Sequence, residues 1–161
     1  MENQTIIDRP DKGALEKVIS ELRERFGNSF STNALILERH GKDEAYHPSA
    51  PPDGVVFPKT TDEVQEIVQL CSKWMVPVIP FGVGTSLEGG VGALAGGVSI
   101  DFSEMKKIIE INQMDMDCSV EAGVTRKELS ARLRDTGLFF PVDPGADATI
   151  GGMAATSASG T

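Results

Sequence analysis

Apolar residues recur on a helical period between Asp11 and Gly27. Leu15, Val18, Ile19, Leu22 and Phe26 share one face, which predicts an amphipathic helix. Asp11 is placed to cap its start, and Gly27 suits the position just past its end. The period then stops. Residues 28–54 are polar and irregular, close on the turn-rich "HPSAPPDG", and predict a connector. At Val55 the run "VVF" predicts a short strand, stopped by Pro58. "TTDEVQEIVQLCSKWM" predicts a helix, with Thr60 and Glu63 at capping-box spacing and a buried stripe of Val64, Ile67, Val68, Cys71 and Trp74. "VPVIP" predicts the next strand, and "GGVSIDF", "KIIEI" and "CSVEAG" predict three more. Thr125 and Glu128 open another helix, with Val124 and Leu129 spaced as a hydrophobic staple, Leu133 on the same face and Gly137 at its end. "LFFPV" predicts a last strand. From residue 143 to 161 the chain is dominated by Gly, Ala, Ser and Thr.

This order of elements predicts an α+β fold around a sheet, with residues 1–50 as an N-terminal helix and connecting segment and residues 51–161 as the main domain. A chain of 161 residues is long enough to bury a core. Its formal net charge of −9 argues against a nucleic-acid partner, which would need a basic face. No run reaches the roughly 18 apolar residues of a membrane span, and "MENQTIIDRP" is not a secretory signal. Cys71 and Cys118 sit in a helical and a strand pattern and read as buried thiols rather than a disulfide or a metal pair. The expected compartment is therefore cytoplasmic, which is compatible with peripheral association at a membrane. The closing "AATSASGT" reads as a flexible tail or as the interior of a longer protein.

Candidate chemistry lies in two glycine-rich stretches. "PFGVGTSLEGG" (80–90) leaves the "VPVIP" strand. It is not a dinucleotide fingerprint, because Leu87 occupies the third glycine position and the following "GGVGALAGGVSIDF" has five glycines and cannot be the required helix. It is not a P-loop either, because no Gly-Lys-Ser/Thr occurs. Successive N–H groups in turn conformations still form an anion nest, with Gly82 and Gly84 allowing close approach and Thr85 and Ser86 adding hydroxyls. No lysine or arginine occurs between residues 74 and 105, so an anion here would be held mainly by backbone dipoles. A ligand-free glycine hairpin is the alternative reading. The second stretch, "PVDPGADATIGGMAATSASG", has the same chemistry, and Pro141, Ile150 and Met153 interrupt it as packing anchors would. Two such loops suggest one extended ligand gripped at two places.

At these residues the sequence resembles the FAD-binding (PCMH-type) domain of the vanillyl-alcohol-oxidase family. The branch is that of cytochrome-linked D-lactate dehydrogenase and the D-subunit of glycolate oxidase. "ERHGKDEAYH", "PPDGVVFPKTTDEV" and "VEAGVTRKELSARLRDTGLFFPVDPGADAT" carry the resemblance as well, and together the motifs span roughly residues 30–161. It implies two small α+β subdomains with FAD between them. The first loop would hold the pyrophosphate through Gly82, Val83, Gly84, Thr85 and Ser86, shaped at its ends by Pro80 and Gly89. The second would line the flavin side through Pro144, Gly145, Ala146, Thr149, Gly151, Gly152, Ala155, Thr156 and Gly160. Members that attach FAD covalently at this loop carry a histidine where this chain has Thr85, so non-covalent FAD is implied.

The resemblance further implies a domain that continues past Gly160-Thr161, a C-terminal substrate domain, and an electron acceptor such as a cytochrome or quinone. The activity implied is oxidation of a D-2-hydroxy acid, D-lactate or glycolate. The alternatives are a non-catalytic FAD-binding piece and an aryl-alcohol or sugar oxidase of the same fold. No catalytic residue and no metal ligand is assigned. Arg39, His40, Asp43, Glu44 and His47 lie close together, but they read as a segment packed over the domain rather than as a metal site.

Overall fold

The computed structural model describes residues 8–159. Helix α1 (Lys12–Phe26) starts where Asp11 accepts the Ala14 N–H and stops at Gly27, whose φ of 49° takes the chain out of the helix. Strands β1 (Phe30–Ser31), β2 (Gly54–Val56), β3 (Val78–Phe81) and β4 (Val98–Asp101) form a mixed sheet in the order β1-β2-β4-β3. β2 and β3 run parallel to the central β4, and β1 runs antiparallel to β2. Helix α3 (Thr61–Lys73) links β2 to β3, as a parallel crossover requires. Residues before and after position 50 share one core, in which Val18, Leu22 and Phe30 pack with Val56, Ile67, Cys71, Val98 and Ile100. Burial pushes the Cys71 thiol up to about 11, which leaves it a protonated core residue.

The second subdomain is smaller. Strands β5 (Ile108–Asn112) and β6 (Asp117–Val120) form an antiparallel hairpin, and "NQMDMD" makes its solvated turn. Helix α4 (Arg126–Leu133) packs Leu129 and Leu133 with Val124 against it. The capping box is complete here: Thr125 Oγ1 accepts the Glu128 N–H, and Glu128 accepts the Thr125 N–H. Among the described residues three are buried in this cluster, against ten in the first. A hairpin with so small a core is marginal on its own. Amide exchange is therefore expected to be clearly slower at Val98–Asp101 than at Ile108–Asn112. Equal protection would show that the two cores open as one unit.

Several expectations are corrected. Residues 28–54 are not wholly irregular, because β1 and helix α2 (Ala34–His40) lie within them. α2 is two turns long, with Asn33 accepting the Leu35 N–H as its cap. Leu35 is 77% exposed while the polar His40 is buried, so no apolar period marks it. "LFFPV" forms no strand. Leu138 and Phe140 point into the second core, Phe139 points out, and Pro141 offers no N–H to a ladder. The second glycine-rich stretch therefore leaves a coil rather than a strand. Part of it is helical: α5 (Ile150–Ala155) is capped by Thr149 and anchored by the buried Met153. In α3, Val68 faces solvent and Leu70 takes its place in the core. Glu63 closes its box one residue early, on the Lys59 N–H.

Candidate functional site

β3 and β4 are adjacent and parallel, yet residues 82–97 connect them without a helix. What fills the place of the crossover helix is the loop itself, flanked by another segment of chain. A Cβ on Gly84 would lie 3.5 Å from the Lys42 carbonyl, one on Gly89 2.8 Å from the His47 ring, and one on Gly92 3.6 Å from Ala50 Cβ. The segment 42–50 thus runs along the loop at a constant offset of 42 residues. Ala93 donates to the Ala50 carbonyl and Ala50 to the Gly41 carbonyl. The loop's far end is tied down where Asp53 Oδ2 accepts the Gly97 N–H and Oδ1 meets Arg9 at 2.5 Å. Of these three glycines, Gly89 is the one packed too tightly against residues 42–50 to admit a side chain without a shift.

The near end has a different character. Among the described residues, the backbone N–H groups of Val83, Gly84, Thr85, Ser86 and Leu87 make no hydrogen bond to protein. Gly84 holds φ at 70°, a left-handed turn of the kind that lets successive N–H groups face one anion. Gly82, Gly84, Thr85 and Ser86 are half-buried, Val83 is 42% exposed, and Pro80 and Gly89 are exposed. Five unpaired donors in one partly enclosed loop fit a bound anion, and no cation of the loop itself competes for the role. Beside it lies a cavity of about 530 Å³, walled by Arg39, Lys42, Asp43, Phe81, Val83 and Gly84.

The second stretch meets the first at one point. A Cβ on Gly82 would stand 2.5 Å from Thr149 Oγ1, so the two loops touch there with no room for a side chain. Thr149 is buried, bridges to Thr125, and caps α5 by accepting the Gly152 N–H. The Ile150 and Gly151 N–H groups donate to the carbonyls of Val124 and Ala122. The amides at the start of α5 are thus used by the protein, and Gly151 packs against Ala122, 2.8 Å from where its Cβ would stand. Among the described residues, the N–H groups just upstream, at Ala146, Asp147, Ala148 and Thr149, make no hydrogen bond to protein. The Pro144-Gly145 turn is exposed, with Gly145 at φ 83° and its N–H on Asp143 Oδ1. Arg126, behind this turn, pairs with Asp143 at 3.2 Å. Ala155 and Thr156 lie on the exposed end of α5, and Gly160 falls outside the described residues.

The sequence places His40 in a packed segment, and the structure gives it a partner 61 positions away. It is 3% exposed beneath the first loop, with Nε2 2.8 Å from Asp101 Oδ2 at the end of β4. Burial pushes the Asp101 carboxyl up, but hydrogen bonds from His40 and Ser103 outweigh that and hold it below its ordinary value. The stabilisation this represents is complete above the unfolded value of about 3.9. It is lost as pH falls through the lower folded value. His47 is exposed, and among the described residues no cluster of three His, Cys, Asp or Glu could hold a metal ion. Nor is any described helix long and apolar enough to cross a membrane.

This geometry has known counterparts. Residues 52–161 match the model of the family described as FAD binding domain. The chain is 52% identical over 149 residues to "Probable D-lactate dehydrogenase, mitochondrial" of Danio rerio, covering 92% of this chain and 30% of that protein. It is 39% identical to "D-lactate dehydrogenase [cytochrome], mitochondrial" of Arabidopsis thaliana, covering 98% and 28%. Among solved structures, an alkyldihydroxyacetonephosphate synthase superposes with a TM-score of 0.82 at 26% identity, covering 96% of this chain and 31% of that one. The chain thus spans about 30% of the length of the curated relatives it matches. From its fold, its paired glycine loops and this match over most of its length, the chain belongs to the FAD binding domain family.

Proposed function

We propose that Val83–Leu87 hold the FAD pyrophosphate and that the 144–149 turn holds the flavin side. The observation that carries this is the row of five unpaired N–H groups beside the point where Gly82 meets Thr149. Pro80 and Gly89 shape the ends of the first grip. Pro144, Gly145, Ala146, Thr149, Gly151, Gly152, Ala155, Thr156 and Gly160 form the second. The cofactor is held without a covalent bond, because Thr85 offers no nucleophilic nitrogen at the position where covalent members carry histidine. FAD supplies the two-electron acceptor. The residues of this chain bind and orient it and bring fixed dipoles to its phosphates, and the reacting groups for substrate lie outside residues 8–159.

The whole protein is then a flavoprotein dehydrogenase of a D-2-hydroxy acid, D-lactate before glycolate. That order rests on the 52% identity to a protein named for D-lactate. Its other partners are a C-terminal substrate domain and a cytochrome or quinone acceptor. The cytoplasmic reading stands against the mitochondrial names of both relatives, and cell fractionation decides between them. Turnover of the complete protein across 2-hydroxy acids, aryl alcohols and sugars separates the family's activities.

The purified chain, incubated with FAD and desalted, is expected to carry the visible bands of oxidised flavin and to release them on acid precipitation. Colourless protein would sink the binding claim, and a yellow acid pellet would sink the non-covalent one. Gly84→Val forces a branched side chain to φ 70° and against Phe81, 3.2 Å from the new Cβ. It is expected to weaken FAD binding about tenfold or more. Unchanged affinity would move the pyrophosphate elsewhere.

A further inference from the structure

The buried histidine beneath the first loop carries more than packing. His40 Nδ1 lies 2.8 Å from the Ile36 carbonyl oxygen, and Nε2 lies 2.8 Å from Asp101 Oδ2. A carbonyl can only accept, so Nδ1 carries a proton. The facing carboxylate oxygen also accepts. A neutral imidazole has one N–H and cannot serve both, whereas an imidazolium serves both at once. Asp101 is equally committed, with Oδ1 accepting the Ser103 N–H at 2.7 Å. Among the described residues Asp101 is the one charged side chain paired with the His40 ring. The Phe57 ring stands near-perpendicular to it and the Phe81 ring is tilted against it, with centroids 5.9 and 4.3 Å away.

Phe81 connects this pair to the loop. It is the last residue of β3, it stands opposite Asp101 in the ladder, and its ring underlies Gly84. α2, β4 and the start of the glycine loop are therefore joined through one ring and one carboxylate. We propose that His40 is a positioning residue for the cofactor loop, held as an imidazolium by Asp101 and fixing Phe81 and the Gly82–Gly84 turn from below. This role rests on the FAD reading above, but the protonation state does not.

Ring ¹⁵N signals of the 161-residue chain test it at neutral pH, without FAD. His40 is expected to carry a proton on both ring nitrogens. Asp101→Asn keeps the shape of the pair, and its amide donates to Nε2. His40 is then expected to become the neutral Nδ1–H form, with FAD affinity about tenfold weaker, the size of one charge-assisted hydrogen bond. His40→Gln, which reaches Asp101 but not the Ile36 carbonyl, is expected to weaken FAD similarly.

A single ring proton on His40 would overturn the charged pair, whatever the flavin result. A charged pair in the wild type with full FAD affinity in both variants would overturn the positioning role. If Gly84→Val also binds normally, the loop assignment fails instead.

Discussion

Gly123→Ala is expected to destabilise the chain strongly for a single added methyl. Gly123 is buried at the start of the second subdomain, and its N–H donates to the Met105 carbonyl. A Cβ there would overlap the Phe102 carbonyl oxygen and stand 2.7 Å from that of Met105. Both obstacles are backbone, so no rotamer change relieves them. Phe102 and Met105 lie on the short turn after β4, and Val124 next along is fully buried. The only escape is to push the two subdomains apart. Overpacking of this kind costs about 3 kcal/mol, which for a chain of this size lowers Tm by roughly 10 °C. Thermal unfolding of the FAD-free chain measures it. A shift within the error of the wild type would show that the junction can open without loss. Gly137→Ala is the control, since nothing lies within 4 Å of its added Cβ and only the φ of 77° opposes it.

That contrast also shows what a sequence can and cannot disclose. Gly137 was legible as a helix end, because a glycine after an apolar period has a local reason. Gly123 was passed over inside "VEAG", because its reason is a carbonyl some twenty residues away in the chain. The same division runs through the fold. α1, α3 and α4 were legible because cap, period and stop all agreed within one window. α5 was not, because a six-residue helix with two glycines is made by Thr149, Met153 and the carbonyls of Ala122 and Val124 rather than by propensity. α2 was missed because its buried residue is a histidine whose partner, Asp101, lies 61 positions away. The expectation of a strand at "LFFPV" mistook residues packing into a core for residues pairing in a ladder. At the site, the two grips were visible as composition. Their meeting at Gly82 and Thr149, and the segment 42–50 laid along the first, were not.

Gly82→Ala is expected to cost the most in cofactor binding, and for a reason the apo chain can isolate. The new Cβ would stand 2.5 Å from Thr149 Oγ1. That oxygen belongs to a side chain, so it could in principle rotate away. Thr149 is 4% exposed, however, and its hydroxyl caps α5 at Gly152, so moving it exposes an unpaired donor. Losing such a cap costs about 1 kcal/mol, which the fold can bear. The binding geometry suffers more, because this contact is where the two grips touch. Misplacing one grip against the other is expected to weaken FAD about a hundredfold. Thr149→Ala alone is expected to lower stability slightly and weaken FAD about tenfold. Combined with Gly82→Ala it removes the clash, so the double variant should bind better than Gly82→Ala alone. Such coupling is the signature of direct contact. Additive losses, with the double variant the weakest of the three, would mean that Gly82 serves the ligand directly and that the spacing of the loops is set elsewhere.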